Sequence, residues 1–217
     1  MKKLLLTGFD PFAHYNINPS WEAVKAMPEV IGSFSVHKML LPNIYGTAGQ
    51  LLLEEAERLK PDVILMIGMD SGSTRLHLDA VAVNLRDALL EDNKGAAPWG
   101  ETVVPGAPAA YFATIPTHAL VKRLQKQGCP VHLGYCTGGY VCNDIFYTAL
   151  HRFNGTPVKT GFAHVPLLPQ MVWDESKALP LEETVKTLRQ IIENLSEILT
   201  EEEHARRNRR KAQHTQI

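Results

Sequence analysis

The sequence predicts a three-layer α/β/α sandwich with a mostly parallel central sheet. Three observations carry this expectation. Short apolar runs alternate with longer helical patterns along the chain, and a βαβα order places helices on both faces of a parallel sheet. Asp62 to Ile67 is a nearly continuous apolar run, the pattern of a strand covered on both faces. Gly, Pro or polar residues follow several apolar runs directly, and open α/β sheets keep their ligand loops at such strand ends.

The elements follow in order. Leu4-Leu5-Leu6 before Gly8 and Pro11 reads as a buried first strand. Asn18-Pro19-Ser20 opens a helix over Trp21 to Met27. Asn18 suits the cap, and Pro19 suits the first turn, where its missing N–H has no intrahelical partner. Ser33 to Leu41 alternates like a strand, and Pro42 stops it. Thr47 to Lys60 has helical spacing, with Leu51, Leu52, Glu55 and Leu59 along it. Leu78 to Asn84 reads as one extended run that encloses the acidic Asp79. Asp92 to Ala109 is rich in Gly and Pro and reads as a long loop. A helix over Thr117 to Gln127, a strand over Val131 to Tyr135, a helix over Tyr140 to Leu150 and a strand over Val158 to Val165 complete the alternation. Leu181, Val185, Leu188, Ile192, Leu195 and Leu199 form one stripe on a last helix. No internal repeat or domain boundary interrupts the chain. Residues 1–200 are therefore expected to form one α/β domain. Residues 201–217, where three glutamates precede Arg206, Arg207, Arg209, Arg210 and Lys211, are expected to form a charged, flexible tail.

Composition narrows the function classes. The 217 residues are 45% hydrophobic and 21% charged, enough apolar content for a core of this size. Lys+Arg 22 against Asp+Glu 23 gives no overall basic character, and no aromatic residue accompanies the basic tail, so no nucleic-acid partner is expected. Three cysteines do not make a disulfide scaffold. Leu4 to Leu6 after Lys2 and Lys3 is too short for a signal-peptide core, and no run approaches the roughly 20 apolar residues of a membrane span. The expectation is a cytoplasmic protein with no membrane partner.

A few residues carry reactive chemistry. Cys129, between Gly128 and Pro130, reads as a spare thiol; Cys136, after the strand Val131 to Tyr135, reads as a packing residue, with a place near a site as the alternative. Cys142 falls in the first turn of a helix after Gly138-Gly139, where free N–H groups and the helix dipole favour a thiolate. Those N–H groups also suit an oxyanion. Taken alone, Cys142 is as readily structural as nucleophilic. His164 closes a predicted strand and is either a satisfied core group or a base for Cys142. Asp79, in an apolar run, needs a partner to be buried cheaply, and an imidazolium would serve. His77 lies close to Asp79 in sequence, but no HExxH or paired-cysteine spacing accompanies it, so a metal site is the weaker reading. No cofactor is implied.

Several segments together resemble the pyroglutamyl peptidases, a family of cytosolic cysteine exopeptidases. They are Thr7-Gly8-Phe9-Asp10-Pro11-Phe12 with Asn18-Pro19-Ser20, Asp79 to Asn84, Pro108 to Thr114, Val141-Cys142-Asn143 with Phe146-Tyr147, and Gly161 to Pro166. The likeness covers nearly the whole chain except the basic tail. The resemblance implies an α/β fold and removal of an N-terminal pyroglutamyl residue through a thioester. Cys142 would be the nucleophile, His164 the base and Asp79 the acid. Phe9 and Phe12 would sandwich the flat lactam ring, with Met69, Asp70 and Val141 also lining the substrate site. The implied partners are N-terminally blocked peptides or small amides. A homo-oligomer, dimer or tetramer, is implied as well.

The sequence also departs from the family pattern. The acid is normally glutamate, and Asp79 is about 1.5 Å shorter in reach by bond length. A positioning error of about 1 Å can cost about 100-fold. A Gly-Gln-Ala-Gly-Gly-Arg stretch is replaced by Gly68-Met69-Asp70-Ser71-Gly72-Ser73. Leu89 stands where the family carries an arginine near the oxyanion, leaving Arg86 or Arg75 as stand-ins. Gly139-Tyr140 replaces a Gly-Thr pair. These departures keep two alternatives open. One is a related cysteine amidase acting on another small N-acyl or lactam substrate. The other is a weakly active or inactive binding homologue.

Overall fold

The computed structural model describes residues 1–214. Its elements are β1 (Lys2–Phe9), α1 (Pro19–Lys25), β2 (Val30–Ile31), β3 (Phe34–Leu41), α2 (Thr47–Leu59), β4 (Val63–Met69), β5 (His77–Asp79), β6 (Val81–Val83), β7 (Ala110–Phe112), α3 (Thr117–Lys126), β8 (His132–Gly134), α4 (Val141–Arg152), β9 (Lys159–Val165) and α5 (Leu181–His214). Seven strands form the central sheet in the order β2-β3-β1-β4-β9-β5-β8. It is mostly parallel; β2 runs against β3, and β5 runs against β9.

Period-2 alternation of apolar side chains builds the three layers. Val63, Leu65 and Ile67 of β4 enter one core, and Ile64 and Met66 enter the other. The first core lies under α1, α3 and α5, and the second under α2 and α4. Each such side chain contributes about 1.5–3 kcal/mol when fully buried. The fold class expected from the sequence is the one observed.

Local chemistry sets the element ends. The Asn18 side chain accepts a hydrogen bond from the Ser20 N–H at 3.1 Å, and Pro19 occupies the first turn of α1. The extended run over Leu78 to Asn84 proves to be two strands. The Ala80 N–H donates to the Gly134 carbonyl, after which β6 leaves the main sheet and pairs with β7. The apolar stripe of α5 predicts an end at Leu199, yet the helix continues to His214. There Glu201 pairs with Arg123 at 2.7 Å, and Glu203 with Lys2 at 2.8 Å. Residues 215–217 lie outside the described residues.

The antiparallel β5 decides what meets at the site. Because it enters beside β9 in reverse, its first residue, His77, comes level with His164 at the carboxyl end of β9. Asp79 falls opposite Phe162 and, on its other side, opposite Gly134 of β8. On β4, Gly68 is level with His164. Residues opposite one another or two apart share a face. His77, Asp79, His164 and Gly68 therefore lie on one face, beneath the start of α4.

Candidate functional site

Asp79 is wholly buried, at 0% exposure. Its Oδ2 lies 2.7 Å from Nδ1 of His164. Its Oδ1 lies 3.7 Å from Nε2 of His77 and has no hydrogen-bond partner. On its other side, His77 places Nδ1 3.9 Å from Oδ2 of Asp70. Its ring centre lies 4.9 Å from that of His164 and 5.0 Å from that of His132, the pairs tilted by 33° and 36°. Gly134 makes this crowding possible, since a Cβ there would collide with the Asp79 carboxylate and approach His77 Cδ2 to 2.8 Å.

Cys142 sits in the first turn of α4 with its sulfur over Gly68. A Cβ on Gly68 would stand 2.7 Å from that sulfur and 2.9 Å from the Phe162 ring. The missing side chain is what admits the thiol. Asn143, the next residue, ties α4 to the strand below it. It accepts from the Val83 N–H at 2.9 Å and from the Thr137 hydroxyl at 3.0 Å, and it donates to the Val83 and Leu85 carbonyls at 2.8 Å each.

The two buried histidines are driven in opposite directions. Burial opposes charge on His164, but the Asp79 charge, the hydrogen bond to Asp79 and the neighbouring Cys142 overcome it and push its pKa up to about 10. On His77 burial wins over the attraction of Asp79, with His164 adding repulsion, and the pKa falls below 6.5. The pair is thus one imidazolium and one neutral ring near pH 7, around a single carboxylate.

The other expected site residues divide into two groups. Met69, Asp70, His77, Cys136, Cys142 and His164 line a cavity of about 290 Å³, together with Ser71, Thr137, Gly138 and Tyr140. Phe12 stands outside this lining, with its ring 5.6 Å from that of Tyr140. Phe9, only 1% exposed, and Val141 are core residues behind the site. Cys136 is exposed at the cavity rather than packed, and its sulfur accepts from the Gly138 N–H at 3.3 Å. Cys129 is buried away from it, near Thr187. Tyr140, one of the two residues that replace the family's Gly-Thr pair, is among the lining residues. It sits at the turn into α4 and donates its hydroxyl to the Glu91 carbonyl at 2.9 Å.

Neither arginine suggested as an oxyanion partner lines this cavity. Arg86 is held by the buried Asp144 at 2.6 Å, and Arg75 is exposed. Leu89 projects into solvent at 89% exposure.

These observations correct the expected mechanism. The sequence predicts a Cys142–His164–Asp79 relay. The buried groups that all reach one another are instead His77, Asp79 and His164, whose ligand atoms lie within 4.8 Å of one another. Cys142 adjoins His164 but stands outside that cluster, and the carboxylate expected to serve one imidazole faces two. A proton held as tightly as that on His164 also departs from the near-neutral pKa that suits a general acid or base. The reading as a thiol peptidase that cleaves pyroglutamyl amides, and as a cysteine hydrolase at all, gives way to the binding alternative.

Comparison with known proteins defines the relationship. A family model described as pyroglutamyl peptidase matches residues 2–198. A pyrrolidone-carboxylate peptidase of Thermococcus kodakarensis is 38% identical over 203 residues, covering 92% of this chain and 98% of that one. One from Bacillus thuringiensis is 40% identical over 173 residues, covering 78% and 80%. Among solved structures, the pyrrolidone carboxyl peptidase from Thermococcus litoralis superposes with a TM-score of 0.87 at 31% identity, covering 93% of this chain and 96% of that one. Pyroglutamyl peptidase I of Bacillus amyloliquefaciens gives 0.85 at 32%, covering 90% and 97%. On this match over most of its length, and on relatives at this identity and coverage, the chain belongs to the pyroglutamyl peptidase family.

Proposed function

We propose that this chain is a binding homologue within the family, with weak or no hydrolytic activity, and that its cavity takes small N-terminally blocked peptides or amides. The observation that carries this reading is the sharing of Asp79 between His77 and His164. The carboxylate bonds His164 through Oδ2 and turns Oδ1 toward His77 without a hydrogen bond, so a second imidazole competes for the charge that would orient one. His164, held as an imidazolium, gives up its proton reluctantly. The relatives are named for pyrrolidone carboxylate, and a neutral lactam suits a cavity lined by Met69, Tyr140 and backbone near the start of α4. In this reading Met69 and Asp70 touch the ligand, Phe12 holds Tyr140 in place, and Phe9 and Val141 support the wall from behind. Cys142 and His164 form the floor.

Among the described residues no helix is long and apolar enough to cross a membrane. A cytoplasmic setting and assembly as a dimer or tetramer belong to the same reading, on the family resemblance.

Two measurements on the reduced full-length protein test it. Calorimetry with pyroglutamyl amide should give saturable binding. Release of a fluorescent amine from a pyroglutamyl amide should run at least about 100-fold below a family peptidase assayed alongside, the scale of a lost acid–base contribution. Release at the peptidase's own rate, abolished by Cys142→Ala, would overturn the reading.

A further inference from the structure

We propose that His77, Asp79 and His164 form a binding site for a divalent transition-metal ion of the zinc class. The proposal does not depend on which small molecule the cavity takes: His77 and His164 line the cavity, and Asp79 lies buried behind them.

Three observations carry it. The first is the donor set: two imidazoles and one carboxylate, all buried, with ligand atoms mutually within 4.8 Å. Imidazole-rich sets of this kind select zinc, cobalt or nickel over magnesium or calcium. In a tetrahedral site with bonds near 2.0–2.1 Å, ligand atoms stand about 3.3 Å apart. The His77–Asp79 pair is at 3.7 Å and the His164–Asp79 pair at 2.7 Å, so movements of about half an ångström bring both to that spacing, while the two imidazole nitrogens, within 4.8 Å of each other, close by at most about 1.5 Å. The second is the orphaned Oδ1 of Asp79, an oxygen on a 0%-exposed carboxylate that faces Nε2 of His77 without a hydrogen bond. A buried carboxylate oxygen without a partner is costly, and a cation between these two atoms would satisfy both. The third lies one shell out. Metal-bound histidines commonly donate their other ring N–H to a carboxylate. His77 Nδ1, itself without a hydrogen bond, lies 3.9 Å from the Asp70 carboxylate.

Binding exchanges the His164–Asp79 hydrogen bond for a metal bond from each residue, and the proton on Nδ1 of His164 passes to solvent. The remaining coordination position takes water. No electron transfer is involved.

The test uses the reduced, chelator-treated full chain with zinc chloride by calorimetry and cobalt chloride by visible spectroscopy. One ion per chain is expected, with a tetrahedral cobalt band. The double variant Cys136→Ser, Cys142→Ser removes both cavity thiols and should keep affinity within about threefold. His77→Phe, which deletes a ligand, should weaken binding at least about 100-fold, and Asp70→Asn about tenfold. The Asp70 variant alters a loop side chain and so remains informative if His77→Phe does not fold; matched circular dichroism spectra without metal establish that point. No binding overturns the proposal. So does binding that vanishes in the thiol-free variant, and so does binding that survives His77→Phe, or Asp70→Asn in its place, unchanged.

Discussion

Oδ1 of Asp79 faces Nε2 of His77 across 3.7 Å, although the two residues are only two apart on one short strand. Residues so spaced point to the same face. The reversed entry of β5 brings His77 level with His164, so one carboxylate hydrogen-bonds His164 and also faces His77. The rest of the site's electrostatics follows from that geometry. His164 holds a proton that burial alone would expel, and His77 does without one.

Asp79→Asn should therefore uncouple His164. With the charge gone, burial is opposed by Cys142 alone, and the imidazole pKa should fall well below about 10. Stability at pH 7 should fall by about 3 kcal/mol, the low end for breaking a buried pair, since the imidazole escapes by losing its proton. NMR titration of the His164 ring and urea melts read the two effects. An imidazole still charged at pH 8 in the variant would contradict this account.

The opposed histidines predict a stability maximum with two separable limbs. His164 has a raised folded-state pKa, so its contribution is complete below about 6.5 and is lost as pH rises through about 10. His77 has a lowered one, so its contribution is present above 6.5 and is lost as pH falls below that value. Tyr140, pushed up to about 12 by burial, extends the alkaline decline above pH 10. Urea midpoints between pH 5 and 10 should trace this dome. His77→Phe should flatten the acid limb and leave the alkaline one. An unchanged acid limb would assign that loss to other groups.

Gly68→Ala tests the seat of the thiol. The new Cβ would lie 2.7 Å from the Cys142 sulfur and 2.9 Å from Phe162, both packed against the sheet. Relief requires Cys142 to move, at about 1–3 kcal/mol for overpacking. The thermal midpoint should drop, and alkylation of Cys142 by iodoacetamide should change in rate by severalfold as the sulfur leaves its place beside His164. A variant with wild-type melting and alkylation would show the thiol free to shift.

The sequence makes the parallel frame legible because fully covered strands such as Val63–Met69 are apolar on both faces, and helix caps such as Asn18 announce themselves locally. Cys142 and His164 are legible as residues at a helix start and a strand end. The role of His77 is not, because nothing in Leu76 to Ala80 encodes that β5 runs against β9. Reverse that strand and Asp79, not His77, would sit level with His164. The split after Asp79 is equally hidden, since a run of extended residues reads the same whether it stays in one sheet or changes sheets at Ala80. Phe9 and Phe12 illustrate a third limit. They are three residues apart on one loop-bound segment, yet one is core and the other packs on Tyr140, a distinction made by tertiary packing alone.

Arg86 is the last test, because the family pattern invites a catalytic role for an arginine in this segment. Its Nε donates to Asp144 Oδ1 at 2.6 Å, while the other oxygen of that 0%-exposed carboxylate accepts from the Gly46 N–H at 2.9 Å. The guanidinium also lies 5.9 Å from the centre of the Tyr45 ring. Arg86 thus neutralises a buried charge in the first turn of α4 and fastens that helix to the start of α2. Arg86→Met keeps the side-chain bulk but strands Asp144. Stability should fall by about 3 kcal/mol, and the double variant Arg86→Met, Asp144→Leu should recover much of that loss by removing the stranded charge. Ligand affinity measured at a temperature where Arg86→Met is still folded should stay within about threefold of the parent. A large loss of affinity with unchanged melting would instead place the guanidinium at the ligand and remove it from the scaffold.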